Sequence, residues 1–350
     1  MLAIAEGFGE SPVAALLEPN IDPVEMLSRP AMPPHVPPAV ARRLRLPDLK
    51  DRARLIRNQS EKLGMQVLTP DHNDWPQRLT EQPLSPLALF SRGDAQRLSQ
   101  EPACAVVGSR TPTPYGVDTA ASLCNALARS DVVLWSGLAR GIDGIAHEAC
   151  VSANTPTVAV LAGSLDQIYP AEHASLCDRI LATGGCIISE LPPGKRARRG
   201  HFVRRNRLLG AGPSAVVVVE GSLVSGALHT ARFASDCSTE VFAVPGPWKS
   251  ERSQGCHRLI AEGAGIIESP ESLMQSLGLV AKNGANAKHL EISREQHTIL
   301  ALLKAGPRPT DLLRRESGLN KETFLRTLLR LDQRRYVERL PGDLWRLGDL

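Results

Sequence analysis

Cationic, aromatic and amide side chains are concentrated between residues 195 and 207. The stretch contains no carboxylate, and an aromatic side chain, Phe202, and a carboxamide, Asn206, lie inside it. Its seven cations are Lys195, Arg196, Arg198, Arg199, Arg204, Arg205 and Arg207. Cations bind phosphates, while an aromatic face and an amide bind unstacked bases. This composition predicts contact with a single-stranded nucleic acid, and a solvated surface loop is the alternative interpretation.

Small and polar residues follow five apolar runs of the sequence. These segments are Gly108-Ser109-Arg110, residues 136–143, Ala162-Gly163-Ser164, Ser189-Glu190 and Glu220-Gly221-Ser222. Small residues let backbone amides approach a ligand closely, and helix N-termini that follow them favour anions. If the runs are parallel strands of one sheet, all five segments meet at its carboxyl edge and form one site.

The elements that position these segments alternate between apolar runs and helical patterns. The predicted strands are Ala103–Val107, Val132–Trp135, Thr157–Leu161, Cys186–Ser189, Ala215–Val219 and Val241–Val244. The predicted helices between them are Tyr115–Arg129, Ile142–Ala153, Ala171–Ala182, Arg204–Leu209 and Gly226–Cys237. Two shorter strands are predicted earlier, at Met65–Leu68 and Leu87–Phe90. Buried strands separated by helices predict an α/β fold with a doubly wound, mostly parallel sheet.

The chain divides into four segments by pattern. Residues 1–69 form a divergent, mostly helical N-terminal region, and residues 70–280 contain the predicted sheet. Residues 281–289 are typical of a linker. Three helical patterns and a β-hairpin in residues 290–350 indicate a winged-helix domain, with Phe324, Leu328 and Leu331 on the core face of the third helix. A basic third helix fits duplex DNA or a protein partner equally well.

Composition and missing motifs narrow the function. The 350 residues carry a net charge of +4, and the seven cysteines form no C-x-x-C pair. With no signal peptide and no apolar run of about 18 residues, we expect a reduced, cytoplasmic protein with no membrane contact. The sequence lacks a P-loop, a G-x-G-x-x-G fingerprint and histidines at metal-ligand spacing, so we expect no enzyme activity, no cofactor and no metal. Glu190 and Glu220 lie at strand ends, where we expect them to accept hydrogen bonds from arginine or backbone groups.

Eight motifs in order resemble one known family. They are Gly108-Ser109-Arg110, SGLARGID (136–143), AVLAGSLDQIYP (159–170), SELPPG (189–194), FVRRN (202–206) with Arg207, SGAL (225–228), FAVPG (242–246) and GCHRLIAEGA (255–264). Over about residues 70–270 the chain is similar to the DNA-processing protein A family, also called DprA or Smf. Residues 1–45 show no helix-hairpin-helix glycine pattern and depart from the family there.

The resemblance implies an extended Rossmann-like domain that dimerises and binds single-stranded DNA. In that family the protein is cytoplasmic and bacterial, protects incoming DNA during natural transformation and helps load a RecA-type recombinase. The resemblance implies no catalysis.

The resemblance also assigns roles to residues. Arg110 matches a phosphate-contacting arginine, Phe202 an aromatic residue beside a base, and Arg205, Asn206 and Arg207 a shared Arg-Asn-Arg motif. The full predicted DNA-binding set is Gly108, Ser109, Arg110, Ser136, Gly137, Arg140, Gly163, Ser189, Lys195, Arg199, Phe202, Arg205, Asn206, Arg207 and Gly226. Within it, we expect Lys195 and Arg199 to supply a diffuse field that guides the strand towards the site.

Two other functions remain open at the level of sequence. A nucleotide-binding or nucleotide-hydrolysing protein would use Glu190 and Glu220 at the strand ends. A transcription factor would act through residues 290–350. The density of motifs in the central domain favours the single-stranded DNA-binding mediator over both.

Overall fold

The computed structural model describes residues 49–80, 82, 85–279, 294–304, 306–333, 336–340 and 342–347. The chain forms two compact units, Met1–Ala281 and Lys282–Leu350. The predicted linker at residues 281–289 and residues 1–48 of the predicted N-terminal region lie outside the described residues. No helix in the described ranges combines the length and apolarity that crossing a membrane requires.

A nine-stranded sheet organises the first unit. In chain order its strands are β1 (Gln66–Leu68), β2 (Leu89–Gly93), β3 (Ala103–Gly108), β4 (Val133–Ser136), β5 (Thr157–Val160), β6 (Cys186–Ser189), β7 (Ala215–Val219), β8 (Glu240–Ala243) and β9 (Gly265–Ile266). Their order in space is β1-β2-β6-β5-β4-β3-β7-β8-β9. Strand β2 pairs antiparallel with β1 and β6, and the pairs from β6 to β9 are parallel.

The strand order reverses at β3. The chain continues from β3 through β4, β5 and β6 on one side, and β7, β8 and β9 lie on the other. In doubly wound sheets, ligands bind outside the carboxyl ends of the strands near such a reversal.

Helices cover both faces of the sheet. The first unit contains α1 (Leu49–Lys62), α2 (Gln77–Thr80), α3 (Pro114–Ala128), α4 (Ile142–Ser152), α5 (Ala174–Ala182), α6 (Arg199–Ala211), α7 (Gly226–Asp236), α8 (Glu251–Ala261) and α9 (Pro270–Ser276). Alternate residues of β3 enter different cores, because Ala105 packs with residues of α6, α7 and α8, whereas Val106 packs with residues of α3 and α4. Successive side chains of a strand point to opposite faces of the sheet, so this alternation shows that β3 is buried on both faces.

The structure confirms the predicted alternation and corrects its boundaries. All six predicted central strands are present, and the two short strands form the antiparallel edge, so the sheet begins at Gln66, inside the predicted N-terminal region 1–69. The helix predicted at Arg204–Leu209 is α6, which begins five residues earlier, at Arg199. The helix predicted at Ala171–Ala182 starts with a 3₁₀ turn at Ala171–His173.

The second unit has a separate core. It consists of α10 (Arg294–Leu303), β10 (Arg308–Pro309), α11 (Thr310–Ser317), α12 (Lys321–Gln333), β11 (Val337–Leu340) and β12 (Leu344–Leu347), with the three strands in the order β10-β12-β11. Phe324, Leu328 and Leu331 of α12 are buried, as their spacing predicts. Asn320 caps α12, since its Oδ1 accepts a hydrogen bond from the Thr323 amide at 2.9 Å. Three helices and a β-hairpin confirm the predicted winged-helix arrangement.

Candidate nucleic-acid interface

An arginine and two aromatic rings meet at the carboxyl edge of the sheet. Arg110 follows β3, and its guanidinium carbon lies 5.0 Å from the centroid of the Phe202 ring. The Tyr169 ring meets Phe202 edge-on, with centroids 5.8 Å apart and planes at 73°. Arg110 and Tyr169 are exposed, and Phe202 is half-buried. These three residues are called the aromatic–arginine cluster below.

The cluster combines residues from three separated segments. Phe202 lies in the first turn of α6, which begins at Arg199, so the helix fixes the position of its ring. Tyr169 lies in the loop that follows β5 and Arg110 in the loop that follows β3. A half-buried ring beside an exposed guanidinium suits a base whose neighbouring phosphate is neutralised.

Arg140 also lies at this edge, but its charge is shared. It is exposed and forms an ion pair with Glu172, and its hydrogen bond to that carboxylate raises the pKa of the Arg140 guanidinium. An exposed ion pair of this kind contributes little to stability and can be exchanged for a phosphate. Arg140 therefore stays in the predicted DNA-binding set as an accessible cation with an internal counter-ion.

Arg205 lies inside the protein, contrary to its predicted place on the wall of the site. Only 5% of the residue is exposed. Its Nη1 donates to the carbonyl oxygens of Gly137 and Val160, and its Nε donates to Asn206 Oδ1 at 3.1 Å. Burial lowers the pKa of Arg205 to about 10, although the nearby Asp143 carboxylate opposes that shift. Arg205 therefore joins the carboxyl ends of β4 and β5 to α6.

The Asp143 carboxyl belongs to the same interior. It is buried in the first turn of α4, and burial raises its pKa while Arg205 and the Ala139 amide act in the opposite direction. The Ala139 amide donates to Asp143 Oδ2 at 3.3 Å. Asp143 therefore holds the loop between β4 and α4 through its hydrogen bond with the Ala139 amide.

Asn206 and Arg207 are likewise engaged with the protein. Asn206 is buried, and its Nδ2 donates to the carbonyl oxygen of Gly226 at 3.0 Å. Arg207 pairs with Glu190, whose Oε1 also accepts from Arg204 Nη2 at 3.2 Å. The Arg-Asn-Arg motif thus fastens α6 to β4, β5, α7 and the end of β6.

The small residues of the predicted set serve close packing. The hydroxyls of Ser136 and Ser189 are buried, the first donating to Val106 O at 2.6 Å and the second accepting from the Leu191 amide at 3.0 Å. A Cβ on Gly108 would overlap the backbone of β7, and one on Gly137 would overlap the Arg205 guanidinium. A Cβ on Gly163 would lie 3.2 Å from the Ala197 amide nitrogen.

The loop that begins at Lys195 is held against the loop after β5. The Ser164 amide donates to Lys195 O at 2.8 Å, and the Lys195 amide donates to Ser164 Oγ at 3.0 Å. Arg196, Arg198 and Arg199 are exposed beyond this tie. The exposed cations therefore follow directly after a segment that is hydrogen-bonded to the loop after β5.

Two residues of the edge were not predicted from sequence. Tyr169 contributes a ring to the cluster, and its only sequence signal was its place within the motif AVLAGSLDQIYP. Arg252 Nη1 donates to Ser109 Oγ at 2.9 Å and to Thr111 Oγ1 at 2.8 Å, so α8 braces the Gly-Ser-Arg turn. Nothing in the local sequence connects residue 252 with residue 109.

The carboxylates at the strand ends have internal partners. Glu190 accepts from two arginines, and Glu220 is buried and accepts from the backbone amide of Thr113 at 2.9 Å and from the Thr113 hydroxyl. Both observations confirm the expected role as hydrogen-bond acceptors. Within the described ranges, no group of three or more metal-ligating side chains is assembled.

Both units match known protein-family models. Residues 66–278 match the family model described as DNA recombination-mediator protein A, and residues 284–343 match the model described as DprA winged helix domain. These matches agree with the motifs quoted from the sequence and with the two observed folds.

Curated relatives share this assignment. The chain is 42% identical over 231 residues to a putative DNA processing protein DprA of Mycobacterium tuberculosis, covering 63% of this chain and 59% of the relative. It is 35% identical over 289 residues to protein Smf of Escherichia coli, covering 80% of this chain and 77% of that protein. The chain therefore spans less than two thirds of the first of these relatives.

Two solved structures resemble the protein. DNA processing protein A from Streptococcus pneumoniae matches with a TM-score of 0.59 and 30% identity, over 68% of this chain and 85% of the other. The Helicobacter pylori protein, described for its single-stranded DNA binding mode, matches with a TM-score of 0.54 and 29% identity, over 61% of this chain and 95% of the other. The similarity to both confirms the predicted Rossmann-like fold.

Proposed function

The chain belongs to the DNA recombination-mediator protein A family, and from this premise we propose that it is a non-enzymatic recombination mediator that binds single-stranded DNA. Residues 66–279 would bind the single strand, and the winged helix would contact duplex DNA or a protein. In this proposal the protein acts in the bacterial cytoplasm as a homodimer, protects incoming DNA during natural transformation and helps load a RecA-type recombinase.

The aromatic–arginine cluster is the observation that carries the proposal. Arg110 lies 5.0 Å from the Phe202 ring centroid and is exposed, so its guanidinium can bind a phosphate while the ring contacts a base. Duplex DNA keeps its bases stacked inside, whereas a single strand presents them to such a ring. The cluster therefore favours single strands over duplexes.

Charge around the cluster supports the same ligand. Arg196, Arg198 and Arg199 are exposed at the start of α6, and the positive end of that helix faces the same edge. Contacts of this kind depend on phosphates and not on base identity, so we expect binding with little sequence preference and a strong response to salt.

No observation favours nucleotide hydrolysis at this edge. Glu190 is paired with Arg204 and Arg207, and Glu220 is buried against Thr113. A general acid or base must reach the substrate atom whose proton it transfers, and both carboxylates are directed at the protein itself.

Substituting the cluster tests the proposal. We expect Arg110→Ala to weaken binding to an oligothymidylate and to reduce the salt slope by about 0.7, the contribution of one phosphate contact on a single strand. Phe202→Ala should cost about 1–3 kcal/mol of binding free energy through lost stacking. Wild-type affinity should fall roughly tenfold or more over an about fourfold rise in salt. Fluorescence anisotropy of a labelled oligonucleotide provides the measurement.

Arg258→Ala is the matched control, because Arg258 is an exposed arginine paired with Glu262 on α8. It should leave binding unchanged. Equal affinity of the wild type and Arg110→Ala, with a flat salt response, would contradict the proposal. The recombinase step is tested separately, by measuring whether the protein speeds filament assembly of a RecA-type recombinase on single strands coated with single-strand-binding protein.

A further inference from the structure

We propose that the edge of the sheet contains a second base-stacking site, formed by Trp248 and Lys249, and that the strand held by the aromatic–arginine cluster extends to it. This inference rests on the proposed function, since it concerns the path of the same single-stranded DNA. It assigns a role to the loop after β8, which the predicted DNA-binding set does not include.

The exposure of Trp248 is the observation that indicates a ligand. Its residue is 79% exposed, although tryptophan is among the most costly side chains to leave in water. The Lys249 ammonium lies 5.2 Å from the centroid of the indole ring. An exposed aromatic ring with a cation beside it repeats the chemistry of Phe202 and Arg110, and it suits a base with its adjoining phosphate.

The loop that carries Trp248 is tied to the loop that carries Arg110. Tyr115 Oη donates to Pro245 O at 2.6 Å, which fastens the start of α3 to the chain just after β8. Arg252, four residues after Trp248, donates to Ser109 Oγ and Thr111 Oγ1 on either side of Arg110. The two stacking sites are therefore on loops that are hydrogen-bonded to the same short segment.

Two exposed apolar residues lie in the loop after β7, between the strands that lead to the two sites. Strand β7 lies between β3 and β8 in the sheet, and the loop after it presents Leu223 and Val224, which are 48% and 90% exposed. Adjacent parallel strands lie about 4.8 Å apart, so β3 and β8 are separated by about 10 Å. Apolar side chains over this distance provide a floor for unstacked bases between two phosphate-binding cations.

The charges near Trp248 fit this occupant. Lys249 is exposed, and the N-terminus of α8 supplies a partial positive charge at residue 251. Glu251 places one carboxylate in the first turn of α8, at the same helix end. Glu220, at the end of β7, is buried, and its carboxylate accepts a hydrogen bond from the Thr113 amide.

The first experiment measures whether DNA covers Trp248. The other three tryptophans, Trp75, Trp135 and Trp345, are at most 7% exposed, so quenching of native fluorescence by acrylamide reports mainly on Trp248. Acrylamide is neutral and is not repelled by DNA. We expect a saturating long oligothymidylate to protect Trp248, whereas an oligonucleotide of about two nucleotides should not, because once held at the aromatic–arginine cluster it is too short to span the roughly 10 Å from β3 to β8.

The second experiment measures affinity against length, from about 2 to about 20 nucleotides. Wild-type affinity should rise until both sites are spanned. Trp248→Ala should bind the shortest oligonucleotides as the wild type does and the longest roughly tenfold more weakly, while Trp248→Phe should retain most of the gain. Leu55→Ala, which shortens an exposed apolar side chain on α1, is the control and should follow the wild type.

Two results would overturn the inference. One is saturation of the protein by long oligonucleotides with Trp248 still open to acrylamide. The other is protection of Trp248 that depends on protein concentration without DNA, since that would identify a second copy of the chain as the occupant. If the wild type did not bind single strands at all, or if Arg110→Ala bound them as tightly as the wild type, the proposed function itself would be refuted.

Discussion

At the level of single residues, the arginines of the sequence stretch 195–207 take different roles after folding. Arg198 and Arg199 are exposed, whereas Arg205 is buried and bonded to the carbonyl oxygens of Gly137 and Val160. Burying a guanidinium is tolerated because carbonyl and amide oxygens satisfy its donors. The family motif around Arg205 therefore preserves a structural connection at the edge of the site.

Gly137 makes room for this arginine, which gives a prediction. A Cβ at residue 137 would overlap the Arg205 guanidinium, so Gly137→Ala should lower the free energy of unfolding by about 1–3 kcal/mol. Gly200→Ala is the matched control, because no heavy atom lies within 4 Å of its added Cβ in the first turn of α6. The control should be neutral or stabilise by up to about 1 kcal/mol.

Urea denaturation of both variants provides the measurement. A Gly137→Ala protein as stable as Gly200→Ala would mean that Arg205 can leave its carbonyl partners at little cost. That result would also restore Arg205 as a candidate for direct phosphate contact.

The residues of the candidate site were partly predictable from sequence. Phe202 stood out because an aromatic residue lies inside a basic run, whereas the role of Arg110 came from the resemblance of the Gly-Ser-Arg motif to the family. Tyr169 did not stand out, since no charge or strand end marks it. The burial of Arg205 and Asn206 depends on carbonyl groups contributed by β4, β5 and α7, which no local pattern contains.

At the level of elements, α6 connects the site to the sheet. Phe202, Arg205, Asn206 and Leu209 follow the i, i+3, i+4, i+7 spacing of one helix face, and the last three are buried. The polar residues on that face hid the first part of the helix, so the sequence predicted it only from Arg204. Arg199, the first residue of α6, lay outside the predicted helix, although arginine is a good helix former.

The ion pair between α6 and the end of β6 gives a prediction at this scale. The side chain of Glu190 is 7% exposed and that of Arg207 is 11% exposed, and burial lowers the pKa of Arg207 while Glu190 opposes the shift. Glu190→Gln removes the counter-charge and leaves a buried guanidinium with a neutral acceptor. We expect a loss of about 1–3 kcal/mol in the free energy of unfolding.

Glu262→Gln is the control for this prediction. Its partner is Arg258, and both side chains are more than half exposed, so the loss should stay below about 0.5 kcal/mol. Equal urea midpoints for the two variants would show that burial adds nothing to the pair at Glu190.

At the level of the whole molecule, the alternation of apolar runs and helical patterns was sufficient to predict the architecture. Six buried runs gave six strands, because parallel strands covered on both faces must be apolar along their whole length. The antiparallel edge was less evident, since β1 and β2 are short and their pairing with β6 joins residues far apart in sequence.

The separation into two units leads to the last prediction. Among the described residues, the cores of the first unit contain only residues before 281, and the core of the winged helix contains only residues after 298. A chain that ends at residue 281 should therefore fold. It retains both proposed stacking sites, whose residues lie between 109 and 252, so its affinity for single strands and its salt slope should match those of the full chain within about twofold, the tolerance for independent sites.

Duplex affinity provides the contrast in the same titration. If the winged helix contacts duplex DNA through α12, the shortened chain should lose most of its duplex affinity while keeping single-strand affinity. If the domain contacts a protein instead, both affinities should be unchanged. A shortened chain that remains folded by circular dichroism but no longer binds single strands would place essential contacts in the winged helix, and the aromatic–arginine cluster could then not be the principal site.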